Sequence, residues 1–172
     1  MTTVRLATPD DYQEVCRLFL QDHSENGIFP IDYGKMNWLV GRLLRPDLIP
    51  PNDTGTRGLI GVIGNGVLEG IAAIVISIPW YSTQKCLNDL VTFVDPEYRH
   101  SNHAKALLEW MKEQSSITGL PLISGVITKE KTEGKVRLYQ RQMPIKLGAY
   151  FMHDPKASIL TSSGVGIEGY GI

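Results

Sequence analysis

Apolar positions change period several times along the chain, and each change marks an element. Val4-Arg5-Leu6 alternates and predicts a short strand. Thr8-Pro9-Asp10-Asp11 follows as a helix start: Thr8 suits the N-cap, Pro9 the first helical position, and the two Asp complement the positive helix end. Val15, Leu18 and Phe19 then recur at helical spacing, as do Met36, Leu39, Val40, Leu43 and Leu44 in a second helix that must end before Pro46. Asn26-Gly27-Ile28-Phe29-Pro30 between them reads as an apolar-tipped loop. Residues 49–58, with Pro50-Pro51 and Asn52-Asp53-Thr54-Gly55, read as a connector. Strands are predicted over 58–63 and 67–78, with Asn65-Gly66 as the hairpin signal between them.

Pro79-Trp80-Tyr81-Ser82 breaks the pattern, and a further strand runs over 86–94 to Asp95-Pro96. Residues 103–115 are helical by period. Ala104, Leu107, Leu108 and Met111 share a face, Lys105, Glu109, Lys112 and Glu113 lie off it, and Gly119 supplies the stop. A strand over 122–128, a helix over 133–142 and a strand over 147–153 complete the pattern. The expected fold class is α+β (α/β). Its mixed central sheet is antiparallel in the N-terminal part and has a parallel pair bridged by helix 103–115, with helices on both faces. Residues 1–153 form the expected domain and 154–172 a Gly-rich C-terminal tail.

Length and composition narrow the classes. A chain of 172 residues with 42% hydrophobic and 20% charged residues fits one domain with a packed core and excludes wholesale disorder. Net charge −1 argues against gripping nucleic acid through overall positive charge, and leaves a local basic patch open. Cys16 and Cys86 make neither a C-x-x-C pair nor a zinc quartet, and read as reduced packing cysteines of a cytoplasmic protein. The longest apolar stretch, Gly70 to Pro79, falls short of the roughly 18 residues of a membrane span. The polar start MTTVRLATPDD predicts no secretory signal. His23, His100, His103 and His153 have no ligand spacing, so no metal is expected.

The segment Val94-Asp95-Pro96-Glu97-Tyr98-Arg99-His100-Ser101-Asn102-His103-Ala104 carries the chemistry. A strand ends, a turn presents Arg99, and a helix begins. First-turn amides lack intrahelical partners and sit at the positive end of the dipole, so such a turn suits a pyrophosphate.

These residues resemble the GCN5-related N-acetyltransferases (GNAT), whose hallmark is V-x-P-x-x-R/Q-x-x-G-x-G/A between a strand and a helix. Val94, Pro96, Arg99 and Ala104 match, and Asn102 stands where the central glycine is usual. Asn tolerates left-handed conformations better than most residues. A later L-Y-x-x-x-G-F signature is matched by Leu138 and Tyr139 but not by Gln142 and Met143, and Thr132 stands where the family often has Asn. The opening at residues 4–11 also resembles the family's, and the likeness covers residues 3–153. The loop Ser101-Asn102-His103-Ala104-Lys105 resembles small bacteriophage-encoded members.

The resemblance implies transfer of an acetyl group from acetyl-CoA to a primary amine, on a small molecule or on a protein lysine or N-terminus. It implies that Thr92, Phe93 and Val94 pair through their backbone with the pantetheine arm. Arg99, His100, Ser101, Asn102, His103 and Ala104 would take the pyrophosphate. Tyr139 would protonate the departing thiolate, and Asp89, placed near where members often carry a carboxylate, would be the base, with Glu97 the second choice. Trp80, Tyr81 and residues 23–29 would lie on the acceptor side. Two alternatives stay open. One is a nucleic-acid or aminoacyl-RNA modifying enzyme, prompted by six basic against two acidic residues between Lys129 and Lys146. The other is a non-catalytic acyl-CoA-binding interaction protein, prompted by Asn102, Thr132 and Gln142. No membrane partner is expected, and a homodimer is left open.

Overall fold

Residues 2–128, 132–143 and 145–148 are described by the computed structural model of the chain. They contain a five-stranded sheet whose strands follow chain order: β1 (Arg5–Leu6), β2 (Gly58–Ile63), β3 (Gly70–Ser77), β4 (Cys86–Val94) and β5 (Leu122–Ile123). The first four strands pair antiparallel, and β4–β5 is parallel. The expected mixed sheet is thus the observed one.

Strand β3 explains the layering. Its residues are buried in one nearly continuous apolar run, as a strand covered on both faces requires. Ile71, Ala73 and Val75 face one side, where α1 (Tyr12–Asn26) and α2 (Tyr33–Leu44) bring Val15, Leu18, Val40 and Leu43. Ala72 and Ile74 face the other, where α3 (His103–Thr118) brings Leu107, Leu108, Trp110 and Met111. Helix α3 bridges the parallel pair. A side chain at Gly61 would come within 2.8 Å of the Trp110 indole, so only glycine lets helix and sheet approach this closely. Among the described residues no helix is long and apolar enough to cross a membrane.

Several boundaries differ from expectation. Strand β3 begins at Gly70 rather than 67 because α1 captures the chain before it. The Leu68 amide donates to Glu14 Oε2 at 3.0 Å, and the Leu68 carbonyl accepts from Arg17 Nη2 at 2.7 Å. Helix α3 runs on to Thr118, where hydroxyls of Ser116 and Thr118 bond carbonyls four residues back, and stops at left-handed Gly119 (φ 67°). Strand β5 pairs only through Leu122 and Ile123, not through 128. Helix α4 spans Thr132–Gln142. Of the strand expected at 147–153, Leu147 and Gly148 are irregular and the remainder lies outside the described residues, as does the tail 154–172.

Candidate functional site

The site begins with one extra residue in β4. Ala73 pairs with Val91 and Ile74 with Asp89, which leaves Leu90 without a partner. In an unbroken strand, residues three apart face opposite sides. The bulge shifts that parity. Leu87 before it and Val94 after it both pack toward α3, while Val91 and Phe93 pack toward α1 and α2. Asp89 and Thr92 therefore share a face, and Thr92 Oγ1 donates to Asp89 Oδ1 at 3.0 Å.

The second determinant is the early divergence of β5. Past Asn88↔Ile123 the two parallel strands separate, and a cleft of about 1100 Å³ opens along the outer edge of β4. Its other walls are the last turns of α1, residues 123–128 and the inner face of α4. Strand-edge amides and carbonyls exposed in this way can pair with an extended ligand.

Asp89 lies in this cleft under three hydroxyls. Besides Thr92, Ser124 Oγ donates to Oδ2, and Tyr139 Oη donates to the same oxygen at 3.2 Å. The two residues singled out from sequence as base and acid, 50 positions apart, are thus in direct contact. Burial pushes the Asp89 carboxyl above the ordinary carboxylate range, the hydroxyl donors pull it partly back, and the charge of Asp22 pushes it up again. Burial first, and the Asp89 charge second, raise Tyr139 well above the usual phenol range. Tyr139 is therefore a neutral O–H donor throughout the physiological range.

Opposite Asp89, a polar bracket spans the cleft. Asn26 Nδ2 donates to Asp22 Oδ1 at 2.7 Å, and Asn26 Oδ1 accepts from Thr128 Oγ1 at 2.7 Å and from Lys135 Nζ at 3.3 Å. Lys135 also donates to Thr128 Oγ1 at 2.9 Å. Burial raises Asp22 above its ordinary value, against the pull of Asn26 and Lys135. Of the segment 23–29 assigned to the acceptor side, Ser24, Glu25 and Asn26 line the cleft, whereas sequence reading gave no site role to Asp22, Ser124, Thr128 or Lys135 individually. The i, i+4 pair Asp22/Asn26 at the end of an amphipathic helix was a usable signal. The hydroxyls of Ser124 and Thr128 carried none.

The far end of the cleft holds the motif turn. Asp95 Oδ1 accepts from the Glu97 amide at 3.1 Å and starts a short 3-10 turn at Pro96–Tyr98. Arg99 Nε donates to the Val94 carbonyl at 3.1 Å, and its guanidinium lies 5.3 Å above the Phe93 ring. Its Nη2 pairs with both Glu25 oxygens at 2.6 and 2.8 Å. Asn102 stands at the N-cap position of α3 with φ −86° and ψ 13°, so the turn does not draw on the left-handed conformations that Asn tolerates, and its side chain makes no capping hydrogen bond. Ser101 Oγ accepts from the His103 amide at 3.2 Å. Among the described residues the amides of Asn102, Ala104 and Lys105 have no acceptor.

Of the predicted cofactor residues, Thr92, Phe93, Val94, Arg99 and Ala104 line the cleft; His100, Ser101, Asn102 and His103 do not. The His103 ring is buried against Glu69 Oε2 at 2.5 Å and stacks on Tyr98. Glu97 is exposed and off the cleft, and so is the edge-to-face pair Trp80–Tyr81. Among the described residues no three His, Cys, Asp or Glu side chains converge as a metal site.

An open wedge between β4 and a parallel β5, with a helix starting at its mouth, is the architecture of the GNAT fold, and this chain has that fold. It is similar to an acetyltransferase of Trypanosoma brucei (TM-score 0.61, 18% identity, 90% of this chain and 99% of that one). It is also similar to a possible acetyltransferase of Clostridium difficile 630 (TM-score 0.64, 15% identity, 94% and 99%). A third neighbour is AAC(6')-Iy, solved in complex with the bisubstrate analogue CoA-S-monomethyl-acetylneamine (TM-score 0.63, 13% identity, 91% and 99%). No protein-family model and no curated protein matches the chain.

Proposed function

We propose that this protein is an N-acetyltransferase that moves an acetyl group from acetyl-CoA to a primary amine of a small molecule or protein. The observation that carries this reading is the Tyr139–Asp89 hydrogen bond beside the bulge, at the point where β4 and β5 part. The acetyltransferase neighbours, one holding a CoA bisubstrate analogue, support it.

The residues present fit acetyl-CoA. The outer edge of β4 at Thr92 and the Val94 amide offers backbone partners to the amides of a pantetheine arm, while the Phe93 backbone pairs inward with Ile71 of β3 and the Val94 carbonyl is taken by Arg99 Nε. The Ala104 amide at the start of α3, with Arg99, suits its diphosphate. A backbone N–H at the bulge can stabilise charge on the thioester oxygen, a role worth roughly 2.7–4 kcal/mol per donor. Asp89 takes a proton from the acceptor amine, of which only about 0.1% or less is neutral at pH 7 for an ordinary lysine-type pKa. Tyr139, neutral and donating, protonates the sulfur as it leaves.

The basic run is not one continuous face. Lys135 turns into the cleft, and Arg137 pairs with Glu133 at 3.1 Å on the outside. This weighs against the nucleic-acid reading. The intact Asp89–Tyr139 contact weighs against a purely binding module.

Calorimetry is expected to show acetyl-CoA binding in the micromolar range, with free CoA released when an amine panel is added. A folded protein that neither binds acetyl-CoA nor shifts its melting temperature with it would falsify the proposal. Asp89→Asn should lower kcat by about 10²–10⁴-fold with acetyl-CoA affinity nearly intact.

A further inference from the structure

Helix α1 ends in the cleft, and its last turns set two carboxylates along one wall. Asp22 and Glu25 are three residues apart, hence neighbours on one helix face, and both line the cavity. Their partners differ. Asp22 accepts from Asn26 Nδ2 at 2.7 Å and feels the opposite charge of Lys135, whereas Glu25 reaches Arg99 Nη2 of the motif turn at 2.6 and 2.8 Å. The negative charges act on one another in sequence. Burial first, with the Glu25 charge added, raises Asp22, and Asp22 adds to the burial that raises Asp89. Glu25 therefore stands between the end of the cleft that suits a diphosphate and the end where an acceptor amine would meet Asp89.

Arg99 cannot follow Glu25 elsewhere. Its Nε donates to the Val94 carbonyl at 3.1 Å and its guanidinium lies 5.3 Å above the Phe93 ring, so the head group is held while Nη2 serves Glu25. Side-chain exposures of 38% for Arg99 and 34% for Glu25 leave the pair open to an incoming anion. Once an anion takes Nη2, Glu25 keeps its charge and loses its cation. Among the described residues lining the cleft, the other cation is Lys135, which already serves Asn26 and Thr128.

We propose that Glu25 is a shared carboxylate that couples the two halves of the cleft: it holds Arg99 in the free protein and passes to a second ammonium of the acceptor when Arg99 takes the diphosphate. This inference rests on the acetyl-transfer reading and names the acceptor class within it, a diamine or polyamine. No covalent bond changes in the exchange; one ion pair is traded for two. A diphosphate arriving alone must break the Glu25 pair, and an acceptor that brings a new cation to Glu25 offsets that loss. By linkage, each ligand tightens the other by the same factor. An amine with a carboxylate in place of its second ammonium meets Glu25 as a like charge and gains nothing.

Calorimetric titration of the full chain tests the coupling without turnover, using CoA, which carries no acetyl group, and 1,4-diaminobutane. The diamine is expected to bind about two- to fivefold more tightly with saturating CoA than without it, the scale of a half-exposed ion pair, and CoA to gain equally from the diamine. Pantetheine, which lacks the diphosphate, should give the diamine no gain. CoA should give none to 4-aminobutyrate. Glu25→Gln should still bind CoA and lose the coupling. A gain that survives in Glu25→Gln comes from the phosphates of CoA themselves and overturns the proposal. So does an equal gain with pantetheine or for 4-aminobutyrate, and so does diamine binding that is absent or that CoA leaves unchanged. In a wild type that binds CoA, each of these failures leaves acetyl transfer standing. A wild type that binds no CoA overturns both.

Discussion

Asp89 shows how a residue's chemistry is written by its surroundings. A carboxyl raised by burial is less stable as a carboxylate in the folded chain than in the unfolded one. Its folded state is therefore penalised above the ordinary carboxylate range, and the penalty vanishes at low pH. Asp89→Asn should raise the melting temperature at pH 8 and leave it unchanged near pH 3, while turnover falls. Asp11 is the opposite case. Arg5 makes two bonds to it at 2.8 and 2.7 Å, and the Arg5 guanidinium holds its pKa down at about 2. That contribution is present above the unfolded value of roughly 3.9 and is lost as pH falls toward 2. Arg5→Ala should shift the acid-unfolding midpoint upward, a result circular dichroism can read. An unmoved midpoint would assign the pair no role in acid stability.

Between elements, the Glu25–Arg99 ion pair joins the end of α1 to the turn before α3, across the mouth of the cleft. The guanidinium suited to a diphosphate is thereby already engaged by a carboxylate. Glu25→Gln should tighten acetyl-CoA about two- to fivefold, the scale of a half-exposed ion pair. It should leave S-acetylpantetheine, which lacks the diphosphate, unaffected. Equal changes for both ligands would show that Glu25 acts on the cleft's shape rather than on Arg99. The bulge at Leu90 is the other device at this scale. A single unpaired residue turns Asp89 and Thr92 to one side and makes a polar site out of an apolar strand.

Across the whole molecule, β3 separates two cores, and the α3-side core supports the floor of the cleft. Met111, fully buried, sits against Thr92 Oγ1 at 3.8 Å. Met111→Ala should cost about 2–5 kcal/mol in denaturant unfolding, as large-to-small core changes do. It should also weaken turnover by loosening Thr92. Leu18→Ala, equally buried but in the α1-side core, should cost similar stability with less effect on rate. Equal rate losses would mean that the two cores do not act separately on the site.

Much of this was legible in the amino-acid order because it is local. The periods of the α1, α2 and α3 stripes, the buried run of β3, the stop at Gly119 and the Pro96–Arg99 turn depend on neighbours within a few residues. Asp89 and Tyr139 could be singled out one at a time. Their contact could not, nor could the bracket of Asp22, Asn26, Thr128 and Lys135, because these residues meet only where β5 leaves β4 and α4 folds back. Short-range pattern determined which elements form and which faces they bury. Only the tertiary structure decided the parity shift at Leu90 and the length of β5. Both depend on pairing between segments far apart in the chain, β3 against β4 and residues 122–124 against β4, and no local spacing records those pairings.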